Sequence, residues 1–376
     1  MDDESSSRPY TPEEIQDFVC SIINHDMEDS AQLLCGLTIS PRYQPLLVPE
    51  KTLARPKIRY FFALDLHQSV HIIIPLIGSV IEAIRYLGPR NCALSIVEGR
   101  STDGTAEILA DLKTELDHLG IIYFFSRSDI NPLAEGENRI YRLAQLRNMA
   151  IAPLLDERSR RLNLADPAPT IVFINDVVLC AEDILELIYQ KQVQGASVAC
   201  AFDWTSVGTI YDIWVSRDMA GDLFFHIPPN GVGWDNWNPF SHHPPSQDRF
   251  SNNLPIQVYA CWGGMITVDS TPFLQKKIHF RASNEGECFM PEPMTLAKDL
   301  WTIGMGRLLA APTVNVAYSY KDAQMIKRQR GYVHRIVEDP SQYSLINETI
   351  RWEGPPEKLK CMNAWDNQTW IDPVYT

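Results

Sequence analysis

The chain has 376 residues, 45% of them apolar and 21% charged, which is enough to bury a sizeable core and excludes wholesale disorder. Forty-seven acids against 33 Lys and Arg leave a net charge of −14, excluding a broad grip on a nucleic-acid backbone but not a local basic pocket, a divalent metal or an uncharged substrate. No uninterrupted run of about 18 apolar residues occurs, so no membrane span is expected within the chain. The first ten residues are acidic and Ser-rich and read as disordered. Thr11-Pro-Glu-Glu14 starts a helix, with a capping Thr, Pro at the first helical position and acids near the positive end of the dipole. That helix should run to about Asn24, and a second short one near Asp29–Leu34 should stop at Gly36. Pro41, Pro45, Pro49 and Pro56 then break regular structure, so 1–56 reads as an N-terminal helical extension.

From Ile58 the rhythm changes. Strands are expected at 59–64, 93–97, 121–125, 170–174 and 196–202. Helices are expected between them at 70–87, 105–119, 137–156 and 181–193. Such alternation implies an α/β fold with a mostly parallel sheet covered on both faces, one domain over 57–320. Tyr211–Val215 reads as a further strand and 226–256 as a long loop. Another strand near 256–262 leads into Gly263-Gly264, and a helix near 293–304 and a strand at 313–318 close the core. Residues 321–376 read as an irregular segment closing over the active site.

The eight cysteines are scattered without a CxxC pair, which disfavours a zinc site and leaves disulfides open. Asn347-Glu-Thr349 and Asn367-Gln-Thr369 match the N-glycosylation pattern and tilt toward a secretory lumen. The start of the chain lacks the pattern of a secretory signal. The expectation is therefore a soluble part of an anchored Golgi-lumen protein, any membrane link lying in an anchor outside this chain, with the cytoplasm as the other possibility.

Ligands of such sheets bind at the carboxyl ends of the strands. Polar groups gather there: Asp65 and His67, Glu98-Gly-Arg-Ser-Thr-Asp-Gly-Thr105, Asn175-Asp176 and Asp203-Trp204. Each alone reads equally well as a turn or cap, Asp103-Gly104 above all; four clusters on one sheet edge favour a site. No phosphate loop, dinucleotide fingerprint or GxSxG elbow is present.

Segment 98–105 after a strand resembles the nucleotide-sugar motif of GT-A glycosyltransferases. Arg139-Ile-Tyr-Arg-Leu-Ala-Gln-Leu-Arg-Asn148 resembles the stretch before their metal motif, and Phe173-Ile-Asn-Asp-Val177 sits where they place Asp-x-Asp. With 211–218, 259–264 and 280–301 the chain is similar to the fungal capsule-associated α-1,3-mannosyltransferases, glycosyltransferase family 69, over roughly 58–320. The resemblance implies transfer of a hexose, most often mannose from GDP-mannose, to a mannose-containing glycan in an α-1,3 linkage with retention. It implies Mn2+ or Mg2+ as cofactor and no nucleic-acid partner. Breaking a sugar–diphosphate bond leaves negative charge that a carboxylate-held cation stabilises. The sequence departs in supplying one carboxylate at 175–177 where the broader pattern has two.

On this resemblance Asp176 is the metal ligand, with His334 a late candidate. Asp65, Glu98, Asp103, Arg139 and Arg147 are assigned to the nucleotide and its diphosphate, with Arg142 and the Lys327–Arg330 run as weaker phosphate candidates. Glu292, ahead of Glu287, serves the acceptor side and the reacting carbon. Asp299, Trp234, Trp237, Trp262 and Gly263 are acceptor candidates, since indole faces stack on sugar rings; Trp214, inside an expected strand, reads as core. Two other functions remain open at this point. One is a non-catalytic glycan- or partner-binding module, motivated by the single carboxylate. The other is a sugar nucleotidyltransferase, against which the missing Gly-rich basic loop argues.

Overall fold

Buried β-branched and aromatic runs alternate with amphipathic stretches, and the computed structural model folds them into one eight-stranded sheet. It describes residues 9–24, 33, 35, 38–47, 57–156, 162–234, 237–343 and 347–373. Apart from Pro9 and Tyr10, the acidic start lies outside these residues, as does most of the expected helix near 29–34. The first half runs α1 (Pro12–Ile23), β1 (Tyr60–Leu66), α2 (Ile73–Leu87), β2 (Cys92–Gly99), α3 (Thr105–His118), β3 (Ile122–Ser128), α4 (Arg139–Leu155), β4 (Thr170–Ile174), α5 (Ala181–Gln194) and β5 (Val198–Trp204). The second half runs α6 (Pro244–Ser251), β6 (Ile256–Val258), β7 (Met265–Asp269), α7 (Thr271–Leu274), α8 (Glu292–Thr302), β8 (Leu308–Ala317), α9 (Tyr320–Arg330), α10 (Val333–Glu338), β9 (Leu359–Ala364) and β10 (Asn367–Ile371).

The strand order is β3-β2-β1-β4-β7-β5-β8-β6. β1, β2, β3 and β4 pair in parallel, as do β5 and β8; β7 and β6 run antiparallel to their neighbours. β1 and β4 are adjacent while the chain winds from β1 toward β2 in the other direction. A crevice at their carboxyl ends is thus where such a sheet opens to a ligand. Helices α1, α2, α3 and α5 bury one face of the sheet, and α4 and α8 the other. α1 is held as its sequence dictates: Thr11 Oγ1 accepts from the Glu14 amide, and Glu14 returns a bond to the Thr11 amide. Its Ile15, Val19 and Ile22, one face at helical spacing, join the same core as α2.

Val70–Leu87 is long and apolar enough to cross a membrane by length and composition, despite the interrupting His, Glu and Arg. Here it is a core helix, with Leu76, Ile77, Val80, Ile81 and Ile84 fully buried. Several expected elements are corrected. Residues 211–215 form a turn, not a strand, and the strand expected over 256–262 stops at Val258. The long loop contains α6, and β8 begins at Leu308, not at 313. β7 escapes the sequence reading altogether. It inserts between β4 and β5 because Gly263 and Gly264 (φ +61° and +74°) let the chain turn close against β5, where a Cβ on Gly263 would lie 1.9 Å from the Ala201 carbonyl oxygen. Residues 321–376 are not irregular: they carry two helices and the β9–β10 hairpin.

Three disulfides join described residues. Cys35–Cys180 ties the N-terminal segment to the start of α5, Cys200–Cys261 ties β5 to the residue before Trp262, and Cys288–Cys361 staples the hairpin to the loop before α8. Closing loops of this length stabilises mainly by restraining the unfolded chain.

Candidate active site

Asp65 near the end of β1 and Asp176 just after β4 open into one cleft of about 440 Å³. Its walls also hold Arg139, Leu143 and Arg147 of α4, which recur at helical spacing on a single face. Glu292, the first residue of α8, Tyr211, Asp212 and Trp214 of the turn, and Tyr318 just after β8 complete it. The loop at Ile130–Leu133 closes one side.

The floor is built around Arg147. This buried guanidinium pairs with Glu292 (Nη2 to Oε1, 2.9 Å) and its Cζ lies 3.7 Å from the centroid of the Trp262 ring. Trp262 in turn donates from Nε1 to Asn175 Oδ1 at 3.1 Å, and the Asn175 amide donates to the Gly264 carbonyl at 2.9 Å. The two glycines and Trp262 therefore fix the loop that carries Asp176. Nε and Nη1 of Arg147 are buried without a hydrogen-bond partner among the described residues, a state that costs free energy unless a ring face or a ligand compensates.

Acids crowd this one cation. Burial pushes Asp65 up to about 7; the Arg147 charge opposes that shift, and Asp176 and Glu292 add to it. Burial likewise raises Asp176, with its own backbone hydrogen bond and His71 and His67 pulling the other way. Behind them, burial raises both Asp203 and Asp212, and the negative charge of Asp203 drives Asp212 well above the carboxylate range. Asp203 accepts from the Asp212 amide (3.1 Å) and from the Tyr318 hydroxyl (2.8 Å). A concentration of raised carboxyls in a cleft marks a functional site on physical grounds.

The cleft gathers Asp65, Asp176, Arg139, Arg147 and Glu292 from the residues expected in the sequence, whereas Trp262 does not line it and lies behind Arg147 as a fully buried ring. Gly263 contributes only by its turn. The structure places the remaining expected residues elsewhere. Glu98 is fully buried and spent on the Ser101 amide (2.5 Å), with Arg127 at 3.3 Å. Asp103 braces the turn, accepting from the Val70 amide (3.0 Å) and the Thr105 hydroxyl (2.7 Å). Both make the hydrogen bonds of a turn, and neither lines the cleft. Glu287 and Asp299 share Arg281, and Lys298 also pairs with Glu287. Asp299 lines a separate groove beside Arg281 and Tyr141. Arg142 is engaged by Glu137 at 2.7 Å. His334 pairs with Glu182 (3.1 Å) and Lys327 with Asp183 (2.5 Å), so both are occupied at the start of α5 and absent from the cleft wall. Trp234 packs at a tilt against Trp365 and Trp237 is 68% exposed; neither lines the cleft.

Tyr318 and the cleft roles of Asp212 and Trp214 were missed. Apolar–polar alternation over 211–215 mimics a strand, and the signal that could have found Asp212 is its place beside another acid-bearing strand end, Asp203. Among the described residues no three His, Cys, Asp or Glu side chains form a ready-made metal cage. Mn2+ or Mg2+ needs none when one or two carboxylates are completed by phosphate oxygens and water. Asp176 and Asp65 fit that role, because Asp65 already carries the repulsion of the Asp176 charge that a cation would relieve.

The mostly parallel sheet with helices on both faces is the α/β architecture that the GT-A resemblance implies. A family model described as Cryptococcal mannosyltransferase 1 matches residues 59–299. The chain is 32% identical over 347 residues to alpha-1,3-mannosyltransferase CMT1 of Cryptococcus neoformans var. neoformans serotype D, covering 84% of this chain and 72% of that relative. Among solved structures, TarS 1-349 of S. aureus aligns with a TM-score of 0.40 and 11% identity over 73% of this chain, which spans 64% of that structure. The mannosyltransferase PcManGT from Pyrobaculum calidifontis, solved with GDP-Man and Mn2+, aligns with a TM-score of 0.38 and 11% identity over 81% of this chain and 68% of that one.

Proposed function

Because the chain belongs to the Cryptococcal mannosyltransferase 1 family and is a glycosyltransferase, we propose that it transfers mannose from GDP-mannose to a hydroxyl of a mannose-containing glycan, in an α-1,3 linkage, with retention and with Mn2+ or Mg2+. The observation that carries this reading is the meeting of Asp65, Asp176 and the Arg147–Glu292 pair in one cleft at the carboxyl ends of β1 and β4.

A divalent cation held by Asp176 and Asp65 would neutralise charge on the departing diphosphate. Arg139, exposed at the cleft wall, is placed for the outer phosphate oxygens, where a guanidinium can bind bidentately. Arg147 lies deeper and acts first on Glu292, fixing that carboxylate toward the acceptor side. Asp212, raised above its ordinary value by burial and then by the Asp203 charge, stands on the cleft wall where its carboxyl can hydrogen-bond a sugar hydroxyl. The rings of Trp214 and Tyr211 offer faces to the apolar edges of a sugar. In a retaining transfer without a protein nucleophile, the leaving phosphate oxygen takes the acceptor proton as the new glycosidic bond forms.

The test is turnover of GDP-mannose with a mannoside acceptor, followed by NMR of the product linkage. An α-1,3-mannoside supports the reading; a β-anomer, or transfer from another donor alone, contradicts it. The same reading places the protein in the Golgi lumen, and its disulfides suit an oxidising compartment. Immunolocalisation checks that placement, and a cytosolic signal would refute it.

A further inference from the structure

Outside the cleft, aromatic side chains continue in one direction. Trp214, on the cleft wall, has its ring 5.7 Å from that of Phe289 and donates from Nε1 to the Met362 carbonyl at 2.9 Å. Phe289 is 45% exposed, and its amide donates to Asn363 Oδ1 at 3.2 Å. Two residues further along, in the turn of the hairpin, Trp365 is 40% exposed and packs against Trp234 with the rings tilted and their centroids 4.8 Å apart. Polar groups edge the strip, among them Asn363, whose side chain accepts from the Phe289 amide, and Gln368, which donates to the Pro228 and Trp365 carbonyls. The Cys288–Cys361 disulfide fixes the hairpin to the loop that ends at Glu292, so strip and cleft wall are held together.

We propose that this strip, from Trp214 over Phe289 to Trp365, is an extended subsite for sugar units of the acceptor glycan beyond the one that reacts. Rings presenting flat faces between hydrogen-bonding groups suit the apolar C–H faces and hydroxyls of a sugar chain. Continuity with the cleft selects the acceptor as occupant, because a glycan entering to react must leave its remaining units somewhere along the mouth. The inference rests on the transferase reading and deepens it.

The experiment compares methyl α-mannoside with a linear mannotetraose, using the chain, Phe289→Ala and Trp365→Ala, each checked for an unchanged melting temperature. Donor-free binding of the tetraose, read by tryptophan fluorescence, runs in parallel. For each variant, KM for the tetraose should rise about threefold to tenfold with kcat and the methyl mannoside kinetics unchanged, and the fluorescence affinity should fall by the same factor. Equal effects on both acceptors, or none on either, overturn the proposal. Asn367 heads a glycosylation triplet beside Trp365. If Asn367→Gln tightens tetraose binding relative to a glycosylated parent, the chain's own sugar covers the strip, and that too overturns it. If the parent turns over neither acceptor, the transferase reading fails, while the binding titration still decides the strip.

Discussion

Two charged clusters flank α8 and differ in balance. On the cleft side Asp65, Asp212 and Glu292 feel Arg147, with Asp176 beside Asp65 and Asp203 behind Asp212, and four of these five acids are raised. On the other side Glu287 and Asp299 meet Arg281 and Lys298, two acids with two cations. Burial pushes Glu287 up, but hydrogen bonds from Arg281, Lys298 and the Asn284 amide outweigh it and bring it down to about 2. The second cluster is electrostatically satisfied and needs nothing further. The first packs more carboxyls than its arginines can pair, so their charged forms are disfavoured until a bound cation offsets them. That imbalance, more than the number of acids, separates a reactive site from a structural one.

Removing the shared cation should break the comparison most severely. Arg147→Met leaves Glu292 buried without its partner, which costs on the order of 3–5 kcal/mol. Transfer should fall by about 10³ or more, as for loss of preorganised electrostatic stabilisation, measured as kcat/KM beside chemical denaturation. Arg147→Lys keeps the charge but loses the planar fork and should recover only part of the activity.

Asp65→Asn sharpens the contrast in the opposite direction. The folded protein holds the Asp65 proton up to about pH 7, against an ordinary value of 3.8. The folded state thus binds more protons than the unfolded one between these values, and stability falls as pH rises through them. The variant should be more stable than the parent by about 1–3 kcal/mol at pH 8 and by little at pH 4, while losing transfer. Equal stability at both values would contradict the assigned strain.

Glu287→Gln should do the reverse, and less. The depressed carboxyl stabilises the fold above its ordinary value of 4.5, and that benefit is lost as pH falls toward about 2. Near-surface pairing limits the cost at pH 7 to about 1 kcal/mol, with kcat/KM within a factor of about three if the cluster is structural. A hundredfold loss of activity would return Glu287 to the catalytic site.

Asp65 and Asp176 were legible from local order, as acids at the ends of expected strands, and Arg139 and Arg147 from the resemblance of their segment to the family. In sequence Glu292 stood only slightly ahead of Glu287. Their difference lies in which distant cation each meets, Arg281 or Arg147, and that depends on how α4 packs against α8. Glu98 and Asp103 illustrate a second limit, since the same acids that suit a nucleotide also suit the orphan amides of a turn. His334 drew attention by its chemistry, yet Glu182, far earlier in the chain, claims it. β7 was hidden because five residues after a glycine pair carry little periodic signal, and its antiparallel insertion is a tertiary event.

The central claim is that Asp176 and Asp65 hold a cation for the departing nucleotide. Its most direct test is GDP-mannose turnover titrated with Mn2+ after EDTA treatment, for the parent chain and for Asp176→Asn. The account predicts metal-restored activity in the parent and a variant at least about a hundredfold slower that no Mn2+ concentration rescues, at an unchanged melting temperature. Full activity in the variant, or a parent indifferent to EDTA, would contradict it.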